Sequence, residues 1–133
     1  MSSRRVRYSL GFVTLAVVAA ACGSSTGLAP FQPQINNVAD NFQFQATGVT
    51  NVSGTHTYAW SNSGDSATVN QATTITAGSA TVTIVDKNGT QVYSASLSAN
   101  GTFGVLKGVA GSWTVKVVLT GYSGTLNFRV QKA

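Results

Sequence analysis

Side chains able to do acid–base, nucleophilic or metal chemistry are scarce in this 133-residue chain. It has one histidine, His56, one cysteine, Cys22, three aspartates, Asp40, Asp65 and Asp86, and no glutamate. A hydrolase of the Ser-His-Asp kind needs a base held by an acid beside an activated hydroxyl. His56 lies in an alternating run beside Tyr58 and Trp60, where a packed or solvated imidazole is the ordinary role. Paired carboxylates would have to come from an irregular segment (Asp40), a loop (Ser61 to Asp65) and a turn (Asp86 to Gly89). One histidine and one cysteine make no zinc set. Asp86-Lys87-Asn88-Gly89 resembles the start of a calcium loop, but the bidentate glutamate that closes an EF-hand is missing from the chain. The sequence predicts a protein that is not an enzyme and uses no cofactor or metal.

Binding is left to the aromatic residues, which stack on sugar rings where a flat face is exposed. Trp113 shares its alternation with Val115, Val117 and Leu119 and belongs to a core. Trp60 and Tyr58 share theirs with His56, a more amphipathic set, and Tyr122 lies in Gly121-Tyr122-Ser123-Gly124, a turn by composition. Tyr58, Trp60 and Tyr122 are therefore the candidate ligand-binding residues. The Thr-rich faces, Thr81 with Thr83 and Thr114 with Lys116, read as solvated sheet or as edges open to another strand. Three glycosylation sequons begin at Asn51, Asn88 and Asn100, and the last two coincide with Asn-Gly turns that already explain them.

The N-terminus speaks to location. Arg4, Arg5 and Arg7 precede the apolar run Leu10 to Ala21, which is shorter than the roughly 20 residues that span a bilayer and ends in small residues. Residues 1–21 read as a signal peptide. Ala19-Ala20-Ala21-Cys22, followed by Gly23-Ser24-Ser25, resembles the bacterial lipoprotein signal. That resemblance implies cleavage before Cys22, a diacylglyceryl group on its thiol, and a protein of the cell envelope, periplasmic or surface-exposed, held to a membrane. An ordinary signal peptidase would cut at the same site and leave the thiol free. Without residues 1–21 the formal charge falls from +5 to +2, with Lys87, Lys107, Lys116, Arg129 and Lys132 against the three aspartates. No basic cluster of the kind that tracks nucleic acid is present.

The elements that must position these residues follow from composition and period. With only 8% charged residues, no glutamate, and polar positions filled mostly by Thr, Ser, Gly, Asn and Gln, the chain is poor in the Glu and Lys that clothe helices. Residues 22–40, with both prolines of the chain, read as the anchor cysteine and a flexible tether, up to roughly 60 Å when extended. Residues 41–133 read as one domain. Its clearest stretch, Ser112 to Gln131, alternates through Trp113, Val115, Val117 and Leu119, meets Gly121 to Gly124, and alternates again through Leu126, Phe128 and Val130. The spacing predicts two strands and a reversal. Phe42 to Ala46 and Thr55 to Asn62 predict two more strands around a polar bend, and Ser79 to Val85 with Gln91 to Ser98 predict a hairpin turned at Asp86 to Gly89.

Eight or nine short strands at such intervals give an all-β, small antiparallel β-sandwich or jelly roll. From about Thr76 to Gln131, the Gly111 to Val117 and Gly121 to Val130 segments resemble the small β-sandwich modules beside secreted bacterial enzymes, such as the pre-peptidase C-terminal domain. That resemblance implies a binding or accessory module and carries over no catalytic residue. The function expected is a non-enzymatic, lipid-anchored interaction or structural module, its partners being the membrane, through Cys22, and envelope proteins. The alternative is a carbohydrate or small-ligand binding module of a secreted system, with glycans as partners.

Overall fold

The computed structural model describes residues 27–133. After a single 3₁₀ turn at Ala29–Phe31, the chain forms β1 (Gln34–Val38), β2 (Asn41–Asn62), β3 (Ala67–Gln71), β4 (Thr74–Val85), β5 (Gln91–Ser96), β6 (Gly101–Gly104) and β7 (Gly111–Lys132). The all-β expectation holds, in an antiparallel arrangement of seven strands. β2 and β7 each run 22 residues. A straight strand of that length would reach roughly 70 Å, several times the radius of a domain this size, so both must bend.

They bend together. β2 and β7 pair along their whole length, from Asn41↔Gln131 to Asn62↔Gly111, with register shifts between Ala46 and Gly54. The other edge of β7 carries β3, from Ala67↔Lys132 to Gln71↔Phe128, and then β4, from Thr74↔Thr125 to Val85↔Thr114, with shifts between Ile75 and Ser79. Each bulge adds a residue to one strand and sharpens its twist and bend. Three long paths are thus broken at one level, and the sheet folds over on itself into two layers. The two ends of β2 meet as a result: the Asp40 amide donates to the Ser61 carbonyl at 2.8 Å, and the Lys132 amide donates to the Asp40 carbonyl at 3.0 Å. β1 extends the sheet beside β2, β6 beside β3, and β5 beside β4.

Alternation then fills the space between the layers. Phe42, Phe44 and Phe128 of one layer face Trp60, Trp113, Val82 and Ile84 of the other, all buried. Phe44 stacks on Phe128 at 5.4 Å, and Trp60 meets Trp113 edge-on at 5.9 Å. At the fold-over, backbones rather than side chains touch. A Cβ on Gly78 (φ +70) would meet the Thr120 and Gly121 carbonyls, and one on Gly124 (φ +145) would meet the Thr74 carbonyl. Only glycine satisfies both the positive φ and the contact.

The fold departs from four expectations. Ser112 to Gln131 is not a two-stranded ribbon but most of the single strand β7, whose halves pair with the halves of β2. Phe42 to Ala46 and Thr55 to Asn62 are likewise one strand. Among the described residues the strands number seven rather than eight or nine: the two fusions remove breaks, and β1 adds a strand where a tether was expected. The segment expected as a tether up to Asp40 is part of the domain from Leu28 onward: Leu28 is 3% exposed, and Gln34 to Val38 pair with Asn41 to Gln45. The β4–β5 hairpin forms as predicted, with Asp86 bonded to Thr90 and Gly89 at φ +81.

Candidate functional site

The three residues nominated for ligand stacking do not form a platform. Trp60 points inward from β2 and is 1% exposed. Tyr122 is 0% exposed, its hydroxyl donating to the Thr74 carbonyl at 2.7 Å. Burial pushes its phenol up to about 12. Tyr58 is half-buried, with its ring held 5.6 Å from Phe42 and 5.7 Å from Phe44 of the opposite layer, and the same loss of water raises its phenol. All three fill the space between the layers. Trp113, expected in the core, is there, its indole donating to the Val109 carbonyl at 2.7 Å. Cys22 lies outside the described residues.

His56 is separated from the aspartates. His56 lies opposite Val117 on the inward stripe, and burial lowers its imidazole below the usual value. Its Nε2 is buried without a partner among the described residues. The three aspartates sit at the open rim, opposite the fold-over, and each fastens elements there. Asp40 accepts from the Ser63 amide at 2.8 Å and the Ser63 hydroxyl at 2.9 Å, bonds that lower its carboxyl, with Lys132 3.9 Å away. Asp86 accepts from the amides of Asn88, Thr90 and Val109, so its carboxylate tightens the β4–β5 turn and holds the loop before β7. The Asp65 carbonyl accepts from Gly108 at 2.7 Å, while its side chain pairs with Lys107 at 3.4 Å. Among the described residues, no three His, Cys, Asp or Glu side chains come together.

Two features were hidden from sequence reasoning. The first is a groove of about 320 Å³ lined by Gln34, Ile35, Asn36, Gln43 and Gln45. Register explains it: Gln34 opposes Gln45 and Asn36 opposes Gln43. The same rows continue on β7 with Asn127 and Arg129, and on β3 with Asn70. The outer face of this layer is therefore a lattice of primary amides, with the Arg129 guanidinium set between Gln43 and Asn70. The second is the open rim itself, where Val38, Leu106 and Val109 are 51%, 70% and 43% exposed among the charged loops. Gln43 and Gln45 were legible as the polar side of an alternation. Gln34 and Asn36 were not, because their segment carries no alternating apolar signal strong enough to mark a strand.

No family model matches the chain, and neither does any curated protein. Among solved structures, it is similar to a chain in the crystal structure of accessory secretory protein 1, 2 and 3 of Streptococcus pneumoniae. The TM-score is 0.38 at 8% identity, over 77% of this chain and 87% of that one. A likeness at that level sets neither a family nor a function.

Proposed function

We propose that this chain is a lipid-anchored, extracytoplasmic β-sandwich module that acts by binding rather than by catalysis. The observation that carries the reading is the opposition of the two ends of the sandwich. Gln34 pairs with Gln45, so the chain before β1 enters at the fold-over, where Leu28 is buried. The described residues of the fold-over carry no charged side chain, whereas Asp40, Asp65, Asp86, Lys87, Lys107 and Lys132 cluster at the opposite rim with Leu106 and Val109. Anchoring at Cys22 would place the uncharged end toward the membrane and turn the rim outward.

Backbone reach makes the arrangement close. Leu28 is six residues from Cys22, at most about 20 Å of chain. An acyl chain contributes about 0.8 kcal/mol per buried CH₂, and two or more chains hold a protein stably. The test is an intact mass of the protein extracted from membranes, beside Cys22→Ala. A diacylglyceryl adduct on a chain starting at Cys22, lost with the membrane association in Cys22→Ala, is the expected result. An unmodified soluble chain would reject the anchor and leave a secreted module with a free thiol.

A further inference from the structure

We infer that the amide-lined groove between β1 and β2 is a binding site for an uncharged polysaccharide chain. This rests on the reading of the protein as a binding module, and gives that module a ligand class and an address.

The chemistry of the lining selects the ligand. Gln34, Asn36, Gln43 and Gln45 are four primary amides in two adjacent cross-strand pairs, and each presents two N–H donors and a carbonyl acceptor. Among the described residues, none of their side chains hydrogen-bonds another protein group, so their capacity faces the groove and solvent. Vicinal hydroxyls of a sugar are donors and acceptors at once, and a row of amides can serve both roles without a net charge. The lining holds no carboxylate and no ammonium, so an ion would lose its hydration there without a counter-charge. The Gln34–Gln45 row continues to Asn127, across three neighbouring strands, which suits an extended chain better than a compact metabolite. Arg129, which follows Gln43 on the other row and separates it from Asn70, marks the limit of the neutral surface.

This site differs from an aromatic platform. Tyr58, Trp60 and Tyr122 are spent on the core, so stacking contributes little and hydrogen bonds carry the recognition. Binding of that kind is weak for each sugar and depends on several contacts along a polymer.

The experiment is affinity electrophoresis of the full chain, purified in mild detergent, through native gels containing galactomannan, dextran or laminarin as neutral polymers and alginate as an acidic one. Retardation in at least one neutral gel and not in alginate is expected. Gln43→Ala with Gln45→Ala should lower the association constant about tenfold, the loss of two modest hydrogen bonds, with an unchanged melting temperature. Asn36→Ala alone should weaken binding less. No retardation in any neutral gel overturns the site, as does retardation that survives the double substitution or appears in alginate alone. The intact-mass result is independent: an unlipidated chain that is still retarded keeps the groove and loses the anchor, and a lipidated chain that runs freely does the reverse.

Discussion

Tyr122 shows what a single side chain decides in this fold. Its neighbours, two glycines and a serine, are those of a surface turn, and composition alone placed it in water. The bulge instead shifts the alternation by one residue between Leu119 and Tyr122, and the ring turns into the core with its hydroxyl on Thr74. Tyr122→Phe should cost about 1 kcal/mol in urea unfolding, because the hydrogen bond to the Thr74 carbonyl is lost while the ring still packs. The phenol also sets an alkaline limit. Its folded value is raised above the unfolded value near 10, so its contribution is complete below pH 10 and lost as pH rises toward about 12. Tyrosinate absorbance and unfolding should rise together in that window, and an early titration with the fold intact would contradict the burial. His56 works at the other side. Burial depresses its value below 6.5, so stability is complete above pH 6.5 and falls as the pH drops toward the folded value. A His56→Phe variant should lack the decline in urea midpoint between pH 7.5 and pH 5.

Among elements, β7 is the most informative, because its sequence supports two structures. Two alternating runs around Gly121 to Gly124 describe a hairpin as well as they describe one strand folded over a bulge. What separates them is the partner, and β2 held the clue: it has the same plan of run, flexible bend and run, at the same length. Two segments so matched pair with each other along their full course. Strand type, inward faces and the β4–β5 hairpin were therefore legible from local period, while pairing was not, since it is set by residues 49 (Asn62↔Gly111) to 90 (Asn41↔Gln131) positions apart. The amide groove was invisible for the same reason. It exists only once β1 is laid beside β2. The fold-over itself can be tested at its glycines. Gly124→Ala and Gly78→Ala each force a side chain onto a carbonyl at positive φ and should cost more than about 3 kcal/mol or prevent folding. Gly89→Ala, also at positive φ but in open space, should cost only about 1 kcal/mol. Equal effects at all three, by chemical denaturation, would mean that the backbones do not touch at the bend.

Over the whole molecule, the two layers are joined differently at their two ends. At the fold-over, β2, the β3–β4 path and β7 pass from one layer to the other as continuous chain, so the layers cannot part there without breaking a strand's pairing throughout. At the rim they are held by separate fastenings, and Asp40 is the main one. Its backbone bonds Ser61 and Lys132, and its carboxylate holds Ser63, tying both ends of β2 to the end of β7. The residue sits at φ +66, a conformation aspartate adopts more readily than most side chains. Asp40→Ala removes the side-chain fastening and keeps the strained φ, whereas Asp40→Gly removes the fastening and relieves the strain. Amide exchange should then speed up at Ser63 and Lys132 in both variants, more in the alanine one, while the amide of Tyr122 at the fold-over keeps its protection. Acid should do the same to the native chain. The Asp40 carboxyl is depressed by Ser63, so its contribution is present above pH 3.8 and lost as pH falls through the lower folded value. Rim amides should open in that window before the fold-over does. Simultaneous opening of both ends would show that the sandwich unfolds as one unit rather than hinging from its rim. The rim carries the exposed Leu106 and Val109 beside Asp65 and Lys107, so an opening there would also reshape the surface that an anchored chain turns outward.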